Sequence, residues 1–336
     1  MKAIVYSAPG GAEVLRFVER AVPEPGPGEV RVRVAVSGVN PADGQARSGS
    51  ADFPEVTPNL DGAGTIDAVG EGVDASRAGQ RVWVFLAAAG RPTGTAAEFA
   101  VVPADRAVPL PAEVGFDVGA SLGVPALTAH RTLTVAEDGP SRLAPGALAG
   151  KVVLAAGGAG AVGHAVCQLA RWAGATVIST VSGPAKARLA TAAGAHHVID
   201  YRAGDPAGAI RAIAPEGVDL VAEVAFGANV GLDLSVLRPR GTIATYGNDG
   251  GATAELNVPL SMVRNARLQF LVLYTAGRQV RDAAVEDVAA AVRDGALPVG
   301  EDHGLPLLRF PLERTADAHR AVEGHAVGKV LVDVAP

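Results

Sequence analysis

The segment Gly157–Gly163 (GGAGAVG), called the glycine turn below, constrains the fold more than any other part of the chain. It follows Lys151–Ala156 (KVVLAA), which has the pattern of a buried strand, and it precedes Ala161–Ala173, which has helical spacing. Glycines between a strand and a helix permit a tight turn, close approach of a pyrophosphate and close helix–strand contact. The pattern predicts a dinucleotide-binding βαβ unit, the alternative being a plain tight turn. The predicted cofactor-binding residues of the turn are Gly157, Gly158, Ala159, Gly160, Ala161, Val162 and Gly163.

The periodicity of the chain changes at about Pro125, which predicts two domains in the 336 residues. Before Pro125, alternating segments such as Glu29–Val36 (EVRVRVAV) predict an antiparallel barrel or sandwich. After it, strand and helix patterns alternate with short connections, which predicts a doubly wound parallel sheet. A further strand is predicted over Ala266–Tyr274, a helix over Arg278–Asp294 and a final strand over Lys329–Val334.

The end of the strand after the glycine turn bears on which dinucleotide binds. An acidic residue there holds the ribose hydroxyls of NAD, but Thr176–Thr180 is followed by Val181-Ser182-Gly183, without an acid. Ser182 and Lys186 are placed to bind a 2′-phosphate, which a carboxylate would repel. We therefore expect NADPH. The alternative is that Lys186 and Arg188 form a solvated helix face.

Composition excludes several classes of partner. The chain has 29 basic and 35 acidic residues, a net charge of −6, which disfavours nucleic acid and anionic membranes. The single cysteine, Cys167, excludes an internal disulfide or a multi-thiolate metal site. The N-terminus does not resemble a signal peptide, and the uncharged run Val152–Ala170 contains four glycines and changes period midway. A cytoplasmic protein without a membrane span is predicted.

Short motifs along the chain carry a family resemblance. In order they are Ser37–Pro41 (SGVNP), Asp61–Gly64 (DGAG), Gly70–Val73 (GEGV), Gly94–Ala100 (GTAAEFA), Gly123–Ala129 (GVPALTA), the glycine turn, Ile199–Arg202 (IDYR) and Gly328–Val330 (GKV). Together they resemble the zinc-independent quinone oxidoreductase (zeta-crystallin-like) branch of the medium-chain dehydrogenase/reductase superfamily. The resemblance implies an α/β protein with a GroES-like β-barrel catalytic domain (1–123 and 277–336), a Rossmann NADPH-binding domain (124–276) and a cofactor in the cleft between them.

The resemblance also implies which side chains surround the cofactor. Asn40 and Thr128 would lie near the nicotinamide, with Asn40 and Gln45 as the candidate catalytic residues, although Asn40 could simply cap a turn before Pro41. Ser182, Lys186 and Tyr201 would surround the 2′-phosphate, although Tyr201 could be a packing residue. The remaining cofactor-binding residues implied in this way are Gly247, Asn248, Leu271, Leu273 and Lys329.

Zinc-dependent relatives carry cysteine, histidine and cysteine at the positions that correspond to Asn40, Leu60 and Val124. None of these three side chains is a useful zinc ligand in that role, so no metal is expected. Without a Lewis acid to polarise an alcohol, hydride transfer to a quinone or an enone is the better chemical fit. The predicted function is therefore a zinc-independent, NADPH-dependent reductase of a quinone or activated alkene. An enoyl or alkenal reductase and a non-enzymatic NADPH-binding sensor or structural protein are the alternatives.

Some residues depart from the family pattern or stand alone. Gln45 occupies the place of a frequent tyrosine, so a water assisted by Gln45 is one candidate proton source. His164 either contacts the pyrophosphate or is exposed on its helix, and His130 replaces an aromatic residue on the expected substrate side. The tail histidines, His319 among them, are expected at the surface or at helix caps. The apolar strand Ala266–Tyr274 should form a sheet edge, which predicts a homodimer joined edge to edge.

Overall fold

The computed structural model describes residues 1–49 and 53–334 and divides the chain into two compact units. Unit 1 is Met1–Val124 together with the segment from Pro306, and unit 2 is Pro125–Leu305. The first unit therefore extends one residue beyond the expected boundary at 123, and the chain returns to it at Pro306, 29 residues after the expected position 277.

The first part of unit 1 is built from short strands. They are β1 (Lys2–Val5), β2 (Arg16–Glu19), β3 (Glu29–Val39), β4 (Asp61–Val69), β5 (Arg81–Val84), β6 (Phe99–Pro103) and β7 (Ala107–Pro109). Helix α1 (Pro41–Ser48) follows β3, and helix α2 (Phe116–Leu133) contains the unit boundary at Pro125. In β3 the valines alternate with charged residues, so Val30, Val32 and Val34 are buried. Neither helix was predicted from the sequence.

Unit 2 alternates strands and helices. Its strands are β8 (Val152–Ala156), β9 (Thr176–Val181), β10 (His197–Asp200), β11 (Val218–Glu223), β12 (Leu237–Thr245) and β13 (Arg267–Phe270). Its helices are α3 (Ala161–Trp172), α4 (Pro184–Ala192), α5 (Pro206–Ile213), α6 (Phe226–Val236), α7 (Val258–Arg264) and α8 (Arg278–Arg293). The strands are parallel in the order β10-β9-β8-β11-β12-β13, which is the doubly wound Rossmann arrangement. This confirms the predicted fold of the second domain.

The C-terminal segment completes unit 1 with β14 (Leu307–Pro311), α9 (Thr315–Glu323) and β15 (Lys329–Asp333). The main sheet of this unit has the order β14-β15-β3-β4-β5-β7, and β6 also pairs with β3. Its pairings are antiparallel except that of β14 with β15. Unit 1 is thus a mostly antiparallel β unit formed by both ends of the chain, as the resemblance implies for the GroES-like domain.

Helix α8 explains why unit 2 extends beyond residue 276. Its Asp287 accepts hydrogen bonds from the side chains of His130 and Arg142 and from the backbone N–H of Leu143, all within unit 2. The same helix buries Val288 and Ala291. An amphipathic helix can pack on either domain, so its periodicity could not assign it.

The predicted strand Ala266–Tyr274 is shorter than expected. β13 ends at Phe270, and a 3₁₀ turn spans Leu273–Thr275. The prediction of a strand through Tyr274 is therefore wrong at its C-terminal end, although β13 does lie at the edge of the sheet. Among the described residues, no helix is long and apolar enough to cross a membrane.

Candidate functional site

The glycine turn connects the end of β8 to the first turn of α3. Gly157 has φ of 71°, in the left-handed region that favours glycine. A Cβ at Gly163 would lie 2.3 Å from the carbonyl oxygen of Gly157, so helix and turn approach each other more closely than any side chain allows. The N-cap residue of α3 is Gly160, which has no side chain to bond the first N–H groups of the helix. The turn therefore offers free backbone donors and a helix N-terminus to an anion.

The residues expected around a 2′-phosphate come together at the carboxyl ends of β9 and β10. The backbone N–H of Tyr201 donates to the carbonyl of Val181 (3.0 Å), which sets Tyr201 beside the strand end that leads to Ser182. Lys186 lies in the first turn of α4, which begins two residues after Ser182. Tyr201 is half exposed, so it is not a core packing residue. The guanidinium of Arg202 lies 5.9 Å from the Tyr201 ring centre, which adds a second cation that sequence reasoning quoted only as part of a motif.

The other predicted cofactor residues of unit 2 occupy separate positions. Gly247 and the exposed Asn248 follow β12, and a Cβ at Gly247 would lie 2.8 Å from the carbonyl oxygen of Val224 after β11. Leu271 follows β13 and donates its N–H to Thr245 at the end of β12. These three segments therefore meet at the carboxyl edge of the sheet, as the glycine turn does. Leu273 is buried in the 3₁₀ turn, and Thr128 is buried in α2.

A buried polar cluster lies in unit 1, where β3, β4 and β15 end or begin. It consists of Asn40, Asp43, Asp61 and Lys329, all less than 5% exposed, and is called the Asn40 cluster below. The ammonium of Lys329 donates to Asn40 Oδ1 (2.7 Å) and to the carbonyl of Val39 (3.2 Å). Asn40 Nδ2 in turn donates to Asp61 Oδ2 (2.8 Å). A cation on one side and a carboxylate on the other fix the orientation of the amide.

Asp43 and Asp61 also accept backbone hydrogen bonds within unit 1. Asp43 accepts the N–H groups of Asn40 (2.7 Å) and Leu60 (2.9 Å), and Asp61 accepts the N–H of Val124 (2.8 Å). Asn40 is the N-cap residue of α1, and its side chain also bonds Asp61 and Lys329. Sequence reasoning gave Asp43 and Asp61 no role, although an acid three residues after a helix-capping asparagine is a recognisable signal.

Burial and charge shift the ionisation of this cluster. Burial and the neighbouring Asp61 carboxylate raise the pKa of Asp43 to about 7. Burial also raises the pKa of Asp61 and lowers the pKa of Lys329, while the attraction between the carboxylates and the ammonium opposes both shifts. The cluster thus holds two carboxyl groups against one ammonium, which favours one proton on the carboxyl pair.

The three positions that correspond to zinc ligands in relatives converge on the Asn40 cluster. Asn40 belongs to it, the N–H of Leu60 donates to Asp43, and the N–H of Val124 donates to Asp61. The structure therefore brings together three positions that are separated by up to 84 residues in the sequence. Their side chains are the amide of Asn40 and the aliphatic groups of Leu60 and Val124, and an aliphatic group contains no atom that binds a metal.

The structure exposes Gln45 but buries His164 and His319. Gln45 is exposed on α1. His164 is buried, and its Nε2 donates to the carbonyl of His303 (2.9 Å), so the expectation of an exposed residue is wrong. Burial lowers the pKa of His164 to about 4. His319 is also buried, between Arg47 and Asn59, because α9 packs in unit 1 with its amphipathic face inward. Its expected surface position is wrong as well.

A second carboxyl pair lies beside the glycine turn and was not predicted. Glu223 ends β11 and accepts the side-chain amide of Asn229 (3.1 Å) and the N–H of Ala225. Asp233 on α6 is buried next to it, and its Oδ2 has no hydrogen-bond partner among the described residues. Burial, followed by the charge of Glu223, raises the pKa of Asp233 well above its usual range. The proximity of the two carboxyl groups therefore favours retention of one proton by the pair at the end of β11.

The chain matches two family models. The model of the alcohol dehydrogenase GroES-like domain matches residues 26–112, and that of zinc-binding dehydrogenases matches residues 161–290. The quinone oxidoreductase of Lama guanicoe is 32% identical over 99% of this chain and 97% of its own length. These matches lie in the two units that the structure separates.

Solved structures agree with these matches. An NAD-dependent alcohol dehydrogenase superimposes with a TM-score of 0.86 at 27% identity, covering all of both chains. The Escherichia coli quinone oxidoreductase in complex with NADPH gives 0.80 at 27% identity, covering 99% of this chain and 100% of its own. A 2-haloacrylate reductase gives 0.80 at 29% identity, covering all of both chains. The chain therefore belongs to the quinone oxidoreductase family of the medium-chain dehydrogenase/reductase superfamily and is an oxidoreductase.

Proposed function

We propose that this protein is an NADPH-dependent reductase that transfers a hydride to a quinone or another electron-poor acceptor without zinc. The observation that carries the proposal is the bonding of Asn40. Its Oδ1 accepts from the ammonium of Lys329 and its Nδ2 donates to Asp61, so both ends of the amide are occupied. An oxygen bonded to an ammonium is a poor ligand for Zn²⁺, because the two cations repel each other.

A site without zinc limits the class of acceptor. A reductase without a Lewis acid must use an acceptor that is already electron-poor, and quinones and enones meet that condition. The name of the matching family model mentions zinc. However, this chain has Asn40, Leu60 and Val124 at the three expected ligand positions. Zinc independence is therefore an inference from the side chains present.

The residues of unit 2 that would hold NADPH fit its two phosphate groups. The uncapped first turn of α3 and the glycine turn would bind the pyrophosphate through backbone N–H groups. Lys186, Tyr201 and Arg202 would bind the 2′-phosphate, at a strand end that carries no acid before Pro184. When bound, NADPH supplies the hydride. The E. coli quinone oxidoreductase solved with NADPH supports this choice of dinucleotide.

The proton that follows the hydride cannot come from Gln45, the residue expected on the substrate side. Gln45 is exposed and carries no ionisable proton. We therefore assign the proton to water, with Gln45 able to orient it by hydrogen bonding. Replacement of Gln45 by Ala should lower kcat only a few-fold, because water remains present.

The test combines cofactor binding with turnover. Full-length protein is titrated with NADPH and with NADH by fluorescence, and oxidation of each is followed with a panel of quinones and enones. Lys186→Ala should weaken NADPH binding about tenfold to a hundredfold and leave NADH binding unchanged, since a charge-assisted hydrogen bond contributes about 1.5–3 kcal/mol. Arg188→Ala is the matched control, because Arg188 lies exposed on the same helix.

Three results would reject the proposal. Equal affinity for NADPH and NADH would reject the 2′-phosphate assignment. Binding of NADPH with no turnover of any acceptor would reject the reductase function. Loss of activity on treatment with a zinc chelator, restored by Zn²⁺, would reject zinc independence.

Alkene reduction is the second candidate function. The 2-haloacrylate reductase covers the whole chain with a TM-score of 0.80, and its name describes reduction of an activated alkene. Both reactions use a hydride and an electron-poor acceptor, so the fold does not separate them. Product analysis separates them: a saturated carbonyl compound indicates alkene reduction, and a hydroquinone or semiquinone indicates quinone reduction.

We also propose that the protein forms a homodimer through the β13 edge. Beside this strand, α7 exposes Met262 (71%) and Val263 (75%), and Phe270 on β13 is 61% exposed. An apolar surface next to a sheet edge that no other described strand covers favours pairing with a second copy. Val263→Asp should convert a dimer to a monomer in light scattering, whereas Val22→Asp in unit 1 should not. A monomeric wild-type protein at micromolar concentration would contradict the proposal.

A further inference from the structure

A cavity of about 210 Å³ lies in unit 2 at the amino ends of β8, β11 and β12. Lys151 immediately precedes β8, Asp219 is the second residue of β11, and Arg238 is the second residue of β12. The glycine turn follows the other end of β8. Because the strands are parallel, the cavity and the proposed cofactor site lie at opposite edges of the same sheet.

The inner walls of the cavity are apolar. Leu133, Leu148, Val153 and Leu220 line it, and each of them is buried. An apolar cavity of about 150 Å³ accepts a molecule the size of benzene. The volume here is therefore sufficient for one ring and a small polar group. Apolar walls alone do not select one ligand over another, so the charged residues at the rim of the cavity determine which class of ligand binds.

The rim carries more positive than negative charge. The Asp219 carboxylate is shared by Arg238 (2.6 Å) and Lys151 (3.2 Å), so two cations face one anion. The second oxygen of Asp219 accepts the N–H of Val152 (2.8 Å), so both of its oxygens are bonded. Both cationic side chains are more than a third exposed, whereas the side chain of Asp219 is 14% exposed. A guanidinium and an ammonium each carry several N–H donors, so either cation can bind a ligand while it stays paired with Asp219.

A third cation, Arg240, is held at the rim in an unusual backbone conformation. Its φ is 67°, in the region that disfavours residues other than glycine. Its guanidinium bonds both oxygens of Asp138, and its carbonyl oxygen accepts from Arg267 within unit 2. Arg267 also pairs with Glu137. These two arginines and two acids balance one another, so the excess positive charge at the rim is that of Lys151 and Arg238 over Asp219.

We propose that this cavity binds a small organic monoanion with a compact apolar body, of the class of single-ring carboxylates. The ring would occupy the space between Leu133, Leu148 and Leu220, and the carboxylate would bind Arg238 and Lys151. The planar guanidinium fork matches a carboxylate in geometry as well as in charge. The cavity is distinct from the proposed cofactor site, since its residues lie at the other ends of the strands.

Benzoate is the probe for this site. Binding to the full-length protein is measured by isothermal titration calorimetry, with and without NADPH. Amide chemical shifts of Leu220 and Gly241 report the location, since both residues line the cavity. Benzoate should bind saturably with equal affinity in both conditions. Acetate, which lacks the apolar body, and benzyl alcohol, which lacks the charge, should each bind at least about tenfold more weakly.

Two variants test the walls and the rim separately. Ala136→Leu adds a side chain at a partly exposed lining position and should abolish binding by filling the cavity. Arg238→Gln should weaken binding about tenfold. Arg320→Gln is the matched control, because Arg320 is an exposed arginine paired with an acid, Asp317, outside the cavity. Thermal unfolding of each variant shows whether the fold is retained.

Several outcomes would overturn the proposal. No saturable binding at about 10 mM benzoate would do so, since that concentration already detects an affinity in the weakest useful range. Binding that NADPH displaces would place the anion at the cofactor edge instead. Binding unchanged in both folded variants would show that neither the apolar walls nor the Arg238 cation holds the ligand.

Discussion

The glycine turn and the Asn40 cluster both lie at strand ends, but the turn acts through backbone atoms and the cluster through side chains. The turn uses seven consecutive residues and acts through its backbone, because Gly157 and Gly163 permit a geometry that side chains would block. The cluster uses four side chains from positions 40, 43, 61 and 329, which meet only after β3, β4 and β15 pair. Its stability depends on compensation of buried charge.

This difference sets how each region responds to substitution. A substitution in the turn destabilises the fold when an added atom collides with the backbone, and the loss of stability is local and steric in origin. A substitution in the cluster destabilises the fold when a charged or polar partner is left buried without a bonding group. That loss of stability is electrostatic in origin and larger. The predictions below concern the cluster, a buried histidine next to the turn and the turn itself, in order of decreasing expected effect.

Lys329→Met should lower the free energy of unfolding by about 3–5 kcal/mol, the usual cost of removing one partner of a buried charge pair. The reason is that Asn40 Oδ1 loses its donor and Asp61 loses the attraction of the buried Lys329 ammonium. Urea unfolding measures the loss. Lys2→Met is the control, since Lys2 is half exposed and paired with Glu313 at the surface.

A double variant sharpens this prediction. Asp61→Asn combined with Lys329→Met removes both charges, so it should be less destabilised than the sum of the two single variants. Strict additivity would show that the two groups do not interact. In that case the cluster would be a set of independent hydrogen bonds.

The second prediction concerns α3, which follows the glycine turn. The pKa of His164 is lowered from 6.5 to about 4 by burial, so the folded protein resists protonation that the unfolded chain accepts. Its contribution is present above pH 6.5 and is lost as the pH falls towards 4, by up to about 3 kcal/mol. His164→Gln retains a donor for the His303 carbonyl and should flatten this decline in urea unfolding between pH 7 and 4.

His197→Gln is the control for that experiment, because His197 is exposed. The pKa of His319 is lowered in the same direction, to about 3, so His164→Gln should remove only part of the slope. An unchanged slope in His164→Gln would show that His164 does not titrate on unfolding.

The smallest effect is expected within the glycine turn itself. Gly163→Ala places a Cβ 2.3 Å from the Gly157 carbonyl oxygen and should cost about 1–3 kcal/mol, as overpacking usually does. Gly160→Ala is the matched control, since its Cβ would lie 3.4 Å from the same oxygen. Comparable losses in thermal unfolding for both variants would contradict a steric role specific to Gly163.

The sequence by itself determined the features that depend on neighbouring residues. The glycine spacing predicted the turn, and the alternation of Val30, Val32 and Val34 predicted β3, because steric freedom and side-chain alternation are local properties. The order of strands and helices predicted both fold classes for the same reason. The acid-free strand end before Pro184 is equally local, and it led to the expectation of NADPH.

The tertiary structure decided what depends on distant partners. The periodicity of α8 could not show that Asp287 would bond His130 and Arg142, so the domain boundary was placed too early. His164 and His319 look like polar surface residues until packing buries them against partners more than a hundred positions away. The Asn40 cluster and the cavity beside Arg238 form only when strands that are far apart in the sequence become neighbours. Which strands pair depends on how the whole chain buries its apolar area and compensates its buried charges.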